Sequence, residues 1–358
     1  MRAVVMRNRK LAVADVPEPA PGAGEVLVRT LACGICGSDL HALKYADRFV
    51  EASRRAGNAF VMDLGRDVVM GHEFRAELVG YGPDTQRSLA IGTRVCSRPV
   101  LMRATGPQTI GYSNDHPGGY GEYMRLSEAL LLPVPRELPT EHAALTEPLA
   151  VGLHAVNKAR LEQDDAPLVI GCGPVGLAVI AALRLADFRP IVASDFSARR
   201  RDLALALGAD VVVDPATLTP WQSWREAAVW HDAARAPALP PWLPGPPRRP
   251  AVVFECVGVP GVLDQIMAAA PRHARIVVVG VCMEPDTISP MLGISKELAV
   301  QFVFAYTQAE FTATLGHVVA GQIPVAPLVT GAVGLDGVAE AFAELASPER
   351  HAKIMVKP

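Results

Sequence analysis

The fold of this 358-residue protein is decided by the stretch Pro167-Leu168-Val169-Ile170-Gly171-Cys172-Gly173-Pro174-Val175-Gly176. A short apolar run, typical of a buried strand, leads into a G-x-G-x-x-G turn, and a helix is predicted over residues 174–185. In such a turn the first glycine bends the chain, the second lets the backbone approach a pyrophosphate, and the third packs the helix on the strand. The phosphates lie against free N–H groups at the helix start. The stretch predicts a dinucleotide site formed by Gly171, Gly173, Pro174, Val175 and Gly176.

An acidic residue follows this turn at the end of the next predicted strand. Asp195 lies nineteen residues beyond Gly176, where a carboxylate accepts hydrogen bonds from the adenosine ribose hydroxyls. A carboxylate there repels a 2′-phosphate, which favours NAD over NADP. The run Arg199-Arg200-Arg201 weakens that preference, because an arginine such as Arg200 can reach a phosphate. The alternative is a glycine turn that binds nothing, which the combination of strand, helix and acidic residue disfavours.

Strands and helices alternate after the glycine turn. The predicted elements are a strand at 190–193, a helix at 198–207, and strands at 211–213, 251–254 and 275–279. This alternation predicts a doubly wound α/β domain, in which a parallel sheet is covered on both faces. The first third of the chain instead has short strand-like runs separated by proline and glycine. The last sixty residues return to a different texture, with an apolar helical face at 335–345 and a closing strand at 353–356.

Composition and charge exclude several classes of function. The net charge of −3 gives no reason to expect a nucleic-acid or membrane-surface partner. No apolar run is long enough to span a bilayer, and charges interrupt residues 1–7 before a signal peptide could form. The six cysteines are scattered, which is unlike a secreted disulfide framework. We therefore expect a cytoplasmic protein.

Residues 215–250 contain nine prolines and all four tryptophans of the chain. This proline density argues against an ordinary helix or a central strand. The favoured interpretation is a surface excursion anchored by its tryptophans. The alternative is an interface or a cap on the substrate side.

Thiolate, hydroxyl, carboxylate and imidazole groups are concentrated in Cys33-Gly34-Ile35-Cys36-Gly37-Ser38-Asp39-Leu40-His41. Gly71-His72-Glu73 and Glu147-Pro148 follow, and mixed sulfur, nitrogen and oxygen donors suit a catalytic zinc that keeps one position open. Each motif alone has a simpler explanation. In particular, Cys33 and Cys36 have the spacing of a redox pair, although no second pair is present to complete a four-cysteine zinc site.

Together these motifs resemble the ordered signatures of the zinc-dependent medium-chain dehydrogenases. The matching stretches run the length of the chain: 36–41, 71–73, 118–123, 147–148, 171–176, 207–210 and 351–354. Within the family the sequence is most similar to the polyol branch of sorbitol, butanediol and threonine dehydrogenases. That branch has Glu-Pro where other alcohol dehydrogenases place a cysteine ligand.

The resemblance implies one catalytic zinc held by Cys36 and His72, with Glu73 or Glu147 and a water completing its ligands. It implies that Asp39 orients the zinc-binding histidine and that Ser38 and His41 form a proton relay. Cys33 matches no ligand of the family. The implied reaction is hydride transfer between a secondary alcohol or polyol and NAD, with a ketone as the product.

The resemblance also implies the architecture. A β-rich GroES-like catalytic domain is expected from residues 1–153 and 299–358, with a Rossmann NAD-binding domain at 154–298 and the active-site cleft at their junction. Homodimers or homotetramers are expected to pair through the edge of the Rossmann sheet, where residues 298–304 read as an edge strand. A strand buried within one chain is the alternative for these residues.

The sequence departs from the family in two places. Cys96 stands alone where relatives with a structural zinc carry four cysteines, so no structural zinc is expected. Cys36 and His72 are thirty-six residues apart, and the extra stretch around 44–66 is expected to reshape the rim of the substrate pocket. Two further hypotheses are a non-catalytic NAD-binding protein of the same fold and a zinc-free quinone or enoyl reductase. Both predict a broken metal site.

Overall fold

The computed structural model describes residues 1–57, 62–230, 232, 234–238, 245–347 and 349–358. The strands are β1 (Arg2–Arg7), β2 (Lys10–Asp15), β3 (Glu25–Gly34), β4 (Val68–Val69), β5 (Glu73–Tyr81), β6 (Arg94–Cys96), β7 (Val100–Arg103), β8 (Gly106–Thr109), β9 (Tyr123–Ser127), β10 (Leu132–Pro133), β11 (Ala166–Ile170), β12 (Val192–Ser194), β13 (Val211–Val213), β14 (Ala251–Glu255), β15 (Arg275–Val278), β16 (Ala299–Phe302), β17 (Val329–Val333) and β18 (Lys353–Val356). The helices are α1 (Gly37–Lys44), α2 (Ala46–Arg55), α3 (Thr140–Ala144), α4 (Thr146–Ala159), α5 (Pro174–Leu185), α6 (Ala198–Ala206), α7 (Pro220–Ala227), α8 (Val262–Ala269), α9 (Pro290–Lys296), α10 (Gln308–Val319) and α11 (Val338–Leu345).

The chain divides into two compact units. The first unit combines Met1–Pro148 with Thr307–Pro358, and the second unit is Leu149–Tyr306. These limits lie a few residues from the domain boundaries expected at 153/154 and 298/299.

The first unit is built mainly from antiparallel strands. Its larger sheet has the order β10-β6-β5-β3-β18-β17, with β9 also pairing β3, and a smaller sheet has the order β2-β1-β4. The C-terminal strand β18 pairs antiparallel with β3, so the end of the chain lies beside residues 33–34. Apolar side chains such as Val28, Leu78 and Met124 are fully buried between these elements.

The second unit contains the parallel sheet that the alternating sequence pattern predicted. Among the described residues its strand order is β13-β12-β11-β14-β15-β16, and every neighbouring pair is parallel. The order changes direction between β11 and β14, which is where doubly wound sheets bind their ligands. The predicted fold class is confirmed, and α5 spans the predicted residues 174–185.

Two local differences have simple causes. β12 begins at Val192 rather than at residue 190, because Pro190 has no N–H to donate to a neighbouring strand. The expectation of no ordinary helix within 215–250 was wrong for α7. Pro220 occupies a first-turn position of α7, where its missing N–H costs nothing.

The anchoring role of the tryptophans in this segment is confirmed for two of them. Trp221 and Trp224 are buried in the core of the second unit, and Trp224 Nε1 donates to the Ala166 carbonyl at 2.9 Å. Trp242 lies outside the described residues.

Strand β16 forms one edge of the parallel sheet, and all four of its residues are exposed within this chain. The exposed-edge interpretation of 298–304 therefore holds over the buried one. In the part of the chain that the structure describes, no helix is both long and apolar enough to cross a membrane.

Candidate functional site

One strand pairing in the first unit brings the predicted metal ligands together. Gly34 at the end of β3 is paired with Glu73 at the start of β5. Cys36 follows β3 directly before α1, and His72 directly precedes β5. Because strand pairing sets which residues are neighbours, this register places Cys36 beside the His72-Glu73 step despite their separation in sequence.

Cys36, His72 and Glu73 can share one metal ion. One ligand atom from each lies within 4.8 Å of the others. His72 is 8% exposed and Glu73 is fully buried, and Glu73 Oε2 has no hydrogen-bond partner among the residues that the structure describes. Since buried carboxylate oxygens rarely lack a partner, an oxygen beside a thiol and an imidazole fits the ligand set of Zn²⁺.

The charges around His72 favour a cation. Burial alone lowers the pKa of His72, but Asp39 and Cys36 outweigh burial and raise this pKa well above its ordinary value of 6.5. The negative groups that hold a proton on His72 attract a divalent cation equally well, and a metal ion must displace that proton to bind.

Asp39 is fully buried and ties several parts of the site together. Its Oδ2 accepts hydrogen bonds from the Cys36 N–H (3.1 Å) and the Tyr120 hydroxyl (2.6 Å). Its Oδ1 accepts from the Tyr112 hydroxyl (2.7 Å) and lies 3.4 Å from His72 Nδ1. Burial raises the pKa of Asp39, but His72 and the two tyrosines outweigh burial and lower this pKa below its ordinary value.

A buried lysine neutralises the carboxylate of the metal cluster. Lys353 Nζ, on β18, donates to Glu73 Oε1 at 2.7 Å and to the Ile35 carbonyl at 3.0 Å. A Cβ on Gly34 would lie 2.2 Å from Glu73 Oε2, so only glycine leaves room for this carboxylate. Burial lowers the pKa of Lys353, but Glu73 and Cys36 reverse that effect and raise it.

Three of these contacts were missed by sequence reasoning. Tyr120 and Lys353 lay within motifs that resemble the family, but no role was assigned to either. Nothing in the sequence singled out Tyr112.

The two relay residues lie on α1. Ser38 Oγ is 3.5 Å from His72 Nε2. His41 is half-buried, and within the described part of the chain its buried Nδ1 has no hydrogen-bond partner. Burial and the nearby Lys44 lower the pKa of His41, so this imidazole is neutral near pH 7 and can accept a proton.

Glu147 and the remaining cysteines of the first unit lie outside the three-residue cluster. Glu147, on α4, is 9% exposed, and its charge contributes to raising the pKa of Lys353. Cys33 is a buried free thiol covered by Gly71 and Gly119, and burial raises its pKa well above the ordinary value. Cys96 is a buried free thiol whose Sγ lies 3.3 Å from the Ala143 carbonyl oxygen. The expectation of no structural zinc stays a prediction.

The glycine turn of the second unit uses each glycine differently. Gly171 has φ +92° and follows β11. A Cβ on Gly176 would lie 1.9 Å from the Gly171 carbonyl oxygen, so helix α5 could not approach the strand. A Cβ on Gly173 would meet nothing closer than Arg200 Nη1 at 3.9 Å, which leaves open space at the start of α5. Pro174 and Val175 form the first turn of this helix.

Asp195 follows β12 and reaches back to the glycine turn. Its carboxylate accepts hydrogen bonds from the Cys172 N–H (2.8 Å) and the Ser197 N–H (2.9 Å). Arg200 Nη1 lies 3.9 Å from Asp195 Oδ2, and the buried Arg200 Nε has no hydrogen-bond partner in the ranges described above. These contacts hold the Asp195 carboxylate and the Arg200 guanidinium near the start of α5. An acidic and a basic side chain beside the N–H groups of a helix start fit a dinucleotide.

Comparisons with known proteins show what this chain is similar to. Residues 22–136 match the alcohol dehydrogenase GroES-like domain family, and residues 174–320 match the zinc-binding dehydrogenase family. The (R,R)-butanediol dehydrogenase of Bacillus subtilis (strain 168) is 32% identical over 370 residues, covering 100% of both chains. A sorbitol dehydrogenase of Gallus gallus is 28% identical over 366 residues, covering 99% of this chain and 95% of the relative.

The crystal structure of 2R,3R-butanediol dehydrogenase from Bacillus subtilis has the same fold over its full length. It superposes with a TM-score of 0.79 at 28% identity and covers 100% of this chain and 99% of its own. The joint match of sequence, fold and cysteine–histidine–glutamate cluster leads to one conclusion: this chain belongs to the zinc-dependent medium-chain dehydrogenase/reductase family.

Proposed function

We propose that this protein is a cytoplasmic, zinc-dependent dehydrogenase that transfers hydride between a secondary alcohol or polyol and NAD. The observation that carries the proposal is the cluster of Cys36, His72 and Glu73, with its unpartnered Glu73 oxygen. A zinc-free reductase or a non-catalytic relative has no need of such a cluster.

Zinc held by Cys36, His72 and Glu73 would supply Lewis-acid polarisation of a substrate oxygen. Three protein ligands leave one position of a tetrahedral ion open, as catalytic zinc sites require. Glu147 is the alternative carboxylate for this role, and Glu73 is the better candidate because its ligand atom lies within 4.8 Å of those of Cys36 and His72.

The chain's own residues would handle the proton. Ser38, whose Oγ lies 3.5 Å from His72 Nε2, would accept the hydroxyl proton of the alcohol. His41 would then take up this proton and release it to solvent. The lowered pKa of His41 keeps the imidazole neutral, so that it can accept the proton. Asp39 would hold His72 in the orientation that directs Nε2 towards the ion.

NAD would bind at the second unit's glycine turn and supply the hydride acceptor. Gly171, Gly173, Pro174, Val175 and Gly176 would hold the pyrophosphate, and Asp195 would bind the adenosine ribose. Arg200 Nη1 lies 3.9 Å from Asp195 Oδ2, so the guanidinium is paired with this carboxylate. We expect the Asp195 carboxylate to repel the 2′-phosphate of NADP. NAD is therefore preferred over NADP.

The substrate class is proposed from likeness. The relatives are named for butanediol and sorbitol, and on that basis we propose a secondary hydroxyl group of a diol or polyol.

We also propose that two or four copies associate through β16, with no nucleic-acid or membrane partner. Phe302 is 66% exposed and Phe304 is 90% exposed along this edge. An exposed apolar strand edge favours pairing with a second strand.

The test is NADH formation by the zinc-loaded protein with secondary alcohols, diols, sugar alcohols and L-threonine. Cys36→Ala is expected to lose zinc binding and turnover while NAD binding is retained. Cys282→Ala, which removes an exposed free thiol, is the matched control and is expected to behave as wild type. A protein that binds no zinc contradicts the metal site. A protein that binds zinc and NAD but oxidises no member of the panel contradicts the substrate class alone.

A further inference from the structure

The cluster contains one polar side chain that the proposed mechanism has not used. Tyr112 follows β8 and Gly111, and Gly111 packs closely on the backbone of Gly71, directly before His72. A Cβ on Gly111 would lie 3.0 Å from the Gly71 carbonyl oxygen, and Gly111 has φ +85°. This close backbone contact brings Tyr112 to the side of His72.

The Tyr112 ring is held between two other rings. Its centroid lies 5.3 Å from that of His72 and 5.1 Å from that of Phe49. Phe49 belongs to α2, the helix within the extra stretch between Cys36 and His72. Helix α2 therefore contacts Tyr112 through Phe49, and aromatic contacts at these distances restrict the orientation of the Tyr112 ring.

The Tyr112 hydroxyl connects two residues of the site. It donates to Asp39 Oδ1 at 2.7 Å, and its oxygen lies 2.9 Å from Ser38 Oγ. Asp39 is itself held by Tyr120 and by the Cys36 N–H, so the phenol oxygen has a firm anchor. Ser38 is half-buried in the first turn of α1, and its hydroxyl would otherwise rotate among its staggered rotamers.

We infer that Tyr112 is a positioning residue, whose hydroxyl, anchored on Asp39, holds the Ser38 hydroxyl beside His72 Nε2. The inference rests on the proposed function, in which Ser38 accepts the alcohol proton. Its consequence is that α2, which lies between Cys36 and His72 in the sequence, contributes to the geometry of proton removal through the contact of Phe49 with Tyr112.

The test is a double-mutant cycle. Tyr112→Phe keeps the ring between Phe49 and His72 and removes only the hydroxyl. At saturating zinc its kcat is expected to fall on the order of tenfold, the equivalent of one lost hydrogen bond, with an unchanged KM for alcohol. In a Ser38→Ala background the same change is expected to have no further effect on kcat, because the residue through which Tyr112 acts is already absent.

Tyr120→Phe is the matched comparison, since its hydroxyl reaches Asp39 Oδ2. Its effect is expected to be equal in both backgrounds and to include weaker zinc binding, measured by competition with a chelator. Tyr81→Phe removes a hydroxyl bonded to the Leu89 carbonyl and controls for the general loss of a tyrosine hydrogen bond.

Equal losses of kcat for Tyr112→Phe in both backgrounds, or no loss in either, would overturn the inference. Crystal structures of the zinc-loaded wild type and Tyr112→Phe test it independently of turnover. Ser38 Oγ is expected to leave its position beside His72 Nε2 in the variant, and an unmoved Ser38 would refute the inference. If the wild type oxidises no alcohol, the proposed function fails, and these structures still decide the role of Tyr112.

Discussion

At the scale of single residues, Lys353 provides the positive charge that the buried Glu73 carboxylate needs. Both side chains are almost entirely inaccessible, at 2% and 0% exposure. A buried charge left without its partner is costly because neither water nor a counter-ion can replace it. Lys357, at the end of the same segment, pairs with Glu141 at the surface with 49% and 24% exposure.

These two lysines predict a large difference in stability. We expect Lys353→Met to lower the free energy of unfolding by about 3–5 kcal/mol, and Lys357→Met by about 0–1 kcal/mol. Urea denaturation of chelator-treated protein measures both, since zinc would otherwise stabilise Glu73. Adding Glu73→Gln to Lys353→Met is expected to restore part of the loss. Equal losses of unfolding free energy for the two variants would show that the buried pair stabilises the fold no more than the surface pair does.

His116 is a buried imidazole in a basic environment. Arg125 Nη2 lies 2.9 Å from His116 Nδ1, and an arginine can only donate, so Nδ1 is the unprotonated acceptor. Nε2 then carries the proton and donates to Gln108 Oε1. Burial, followed by the charges of Arg125 and Arg103, lowers the pKa of His116 below its ordinary value of 6.5.

This lowered pKa predicts a pH-dependent stability. The folded state binds fewer protons at His116 than the unfolded state, so the stabilisation is complete above pH 6.5 and is lost as the pH falls towards the folded pKa. The slope reaches at most about 1.4 kcal/mol per pH unit. His116→Gln is expected to flatten this part of the profile in urea denaturation between about pH 7.5 and 5. Parallel profiles for wild type and variant would contradict the assignment.

At the scale of elements, the six-residue glycine motif that joins β11 to α5 uses one glycine for folding and another for the proposed binding of NAD. Gly176 lets α5 approach the strand, whereas Gly173 faces open space where a pyrophosphate would lie. Gly176→Ala is therefore expected to lower both the melting temperature and NADH affinity. Gly173→Ala is expected to keep the melting temperature and weaken NADH binding roughly tenfold or more, about 1.4 kcal/mol.

Differential scanning fluorimetry and NADH fluorescence titration measure the two effects separately. Gly316→Ala, inside α10 with nothing near the added Cβ, is the control and is expected to raise stability by roughly 0.5–1 kcal/mol. Loss of stability in Gly173→Ala would mean that this glycine also serves folding.

At the scale of the whole molecule, the edge of the parallel sheet is the surface through which we propose that copies associate. Strand β16 presents unpaired backbone groups and Phe302, which a second copy would cover in the proposed assembly. We expect Phe302→Lys to shift the protein from dimer or tetramer towards monomer in sedimentation velocity. Ile91→Lys changes an apolar side chain of the first unit that is 54% exposed and is expected to leave the association unchanged. A monomeric wild type would disprove pairing through β16.

The sequence by itself determined those features whose causes lie within a few residues of one another. The glycine turn, α5 and the alternating strands of the second unit depend on local apolar patterns and on a glycine at positive φ, all readable along the chain. Cys36 and the His72-Glu73 step were singled out as candidate metal ligands because they lie in short motifs, and the structure brings them together.

Only the tertiary structure decided the surroundings of the metal cluster. Lys353 lies 280 residues from Glu73, and they meet because β18 pairs with β3 and β3 pairs with β5. Tyr112 lies 74 residues from Ser38 along the chain. The two meet because the backbone of Gly111 contacts the backbone of Gly71. Strand register and backbone packing create these contacts between residues that are far apart in the sequence. A local sequence pattern cannot predict them, because it does not include the partner residue.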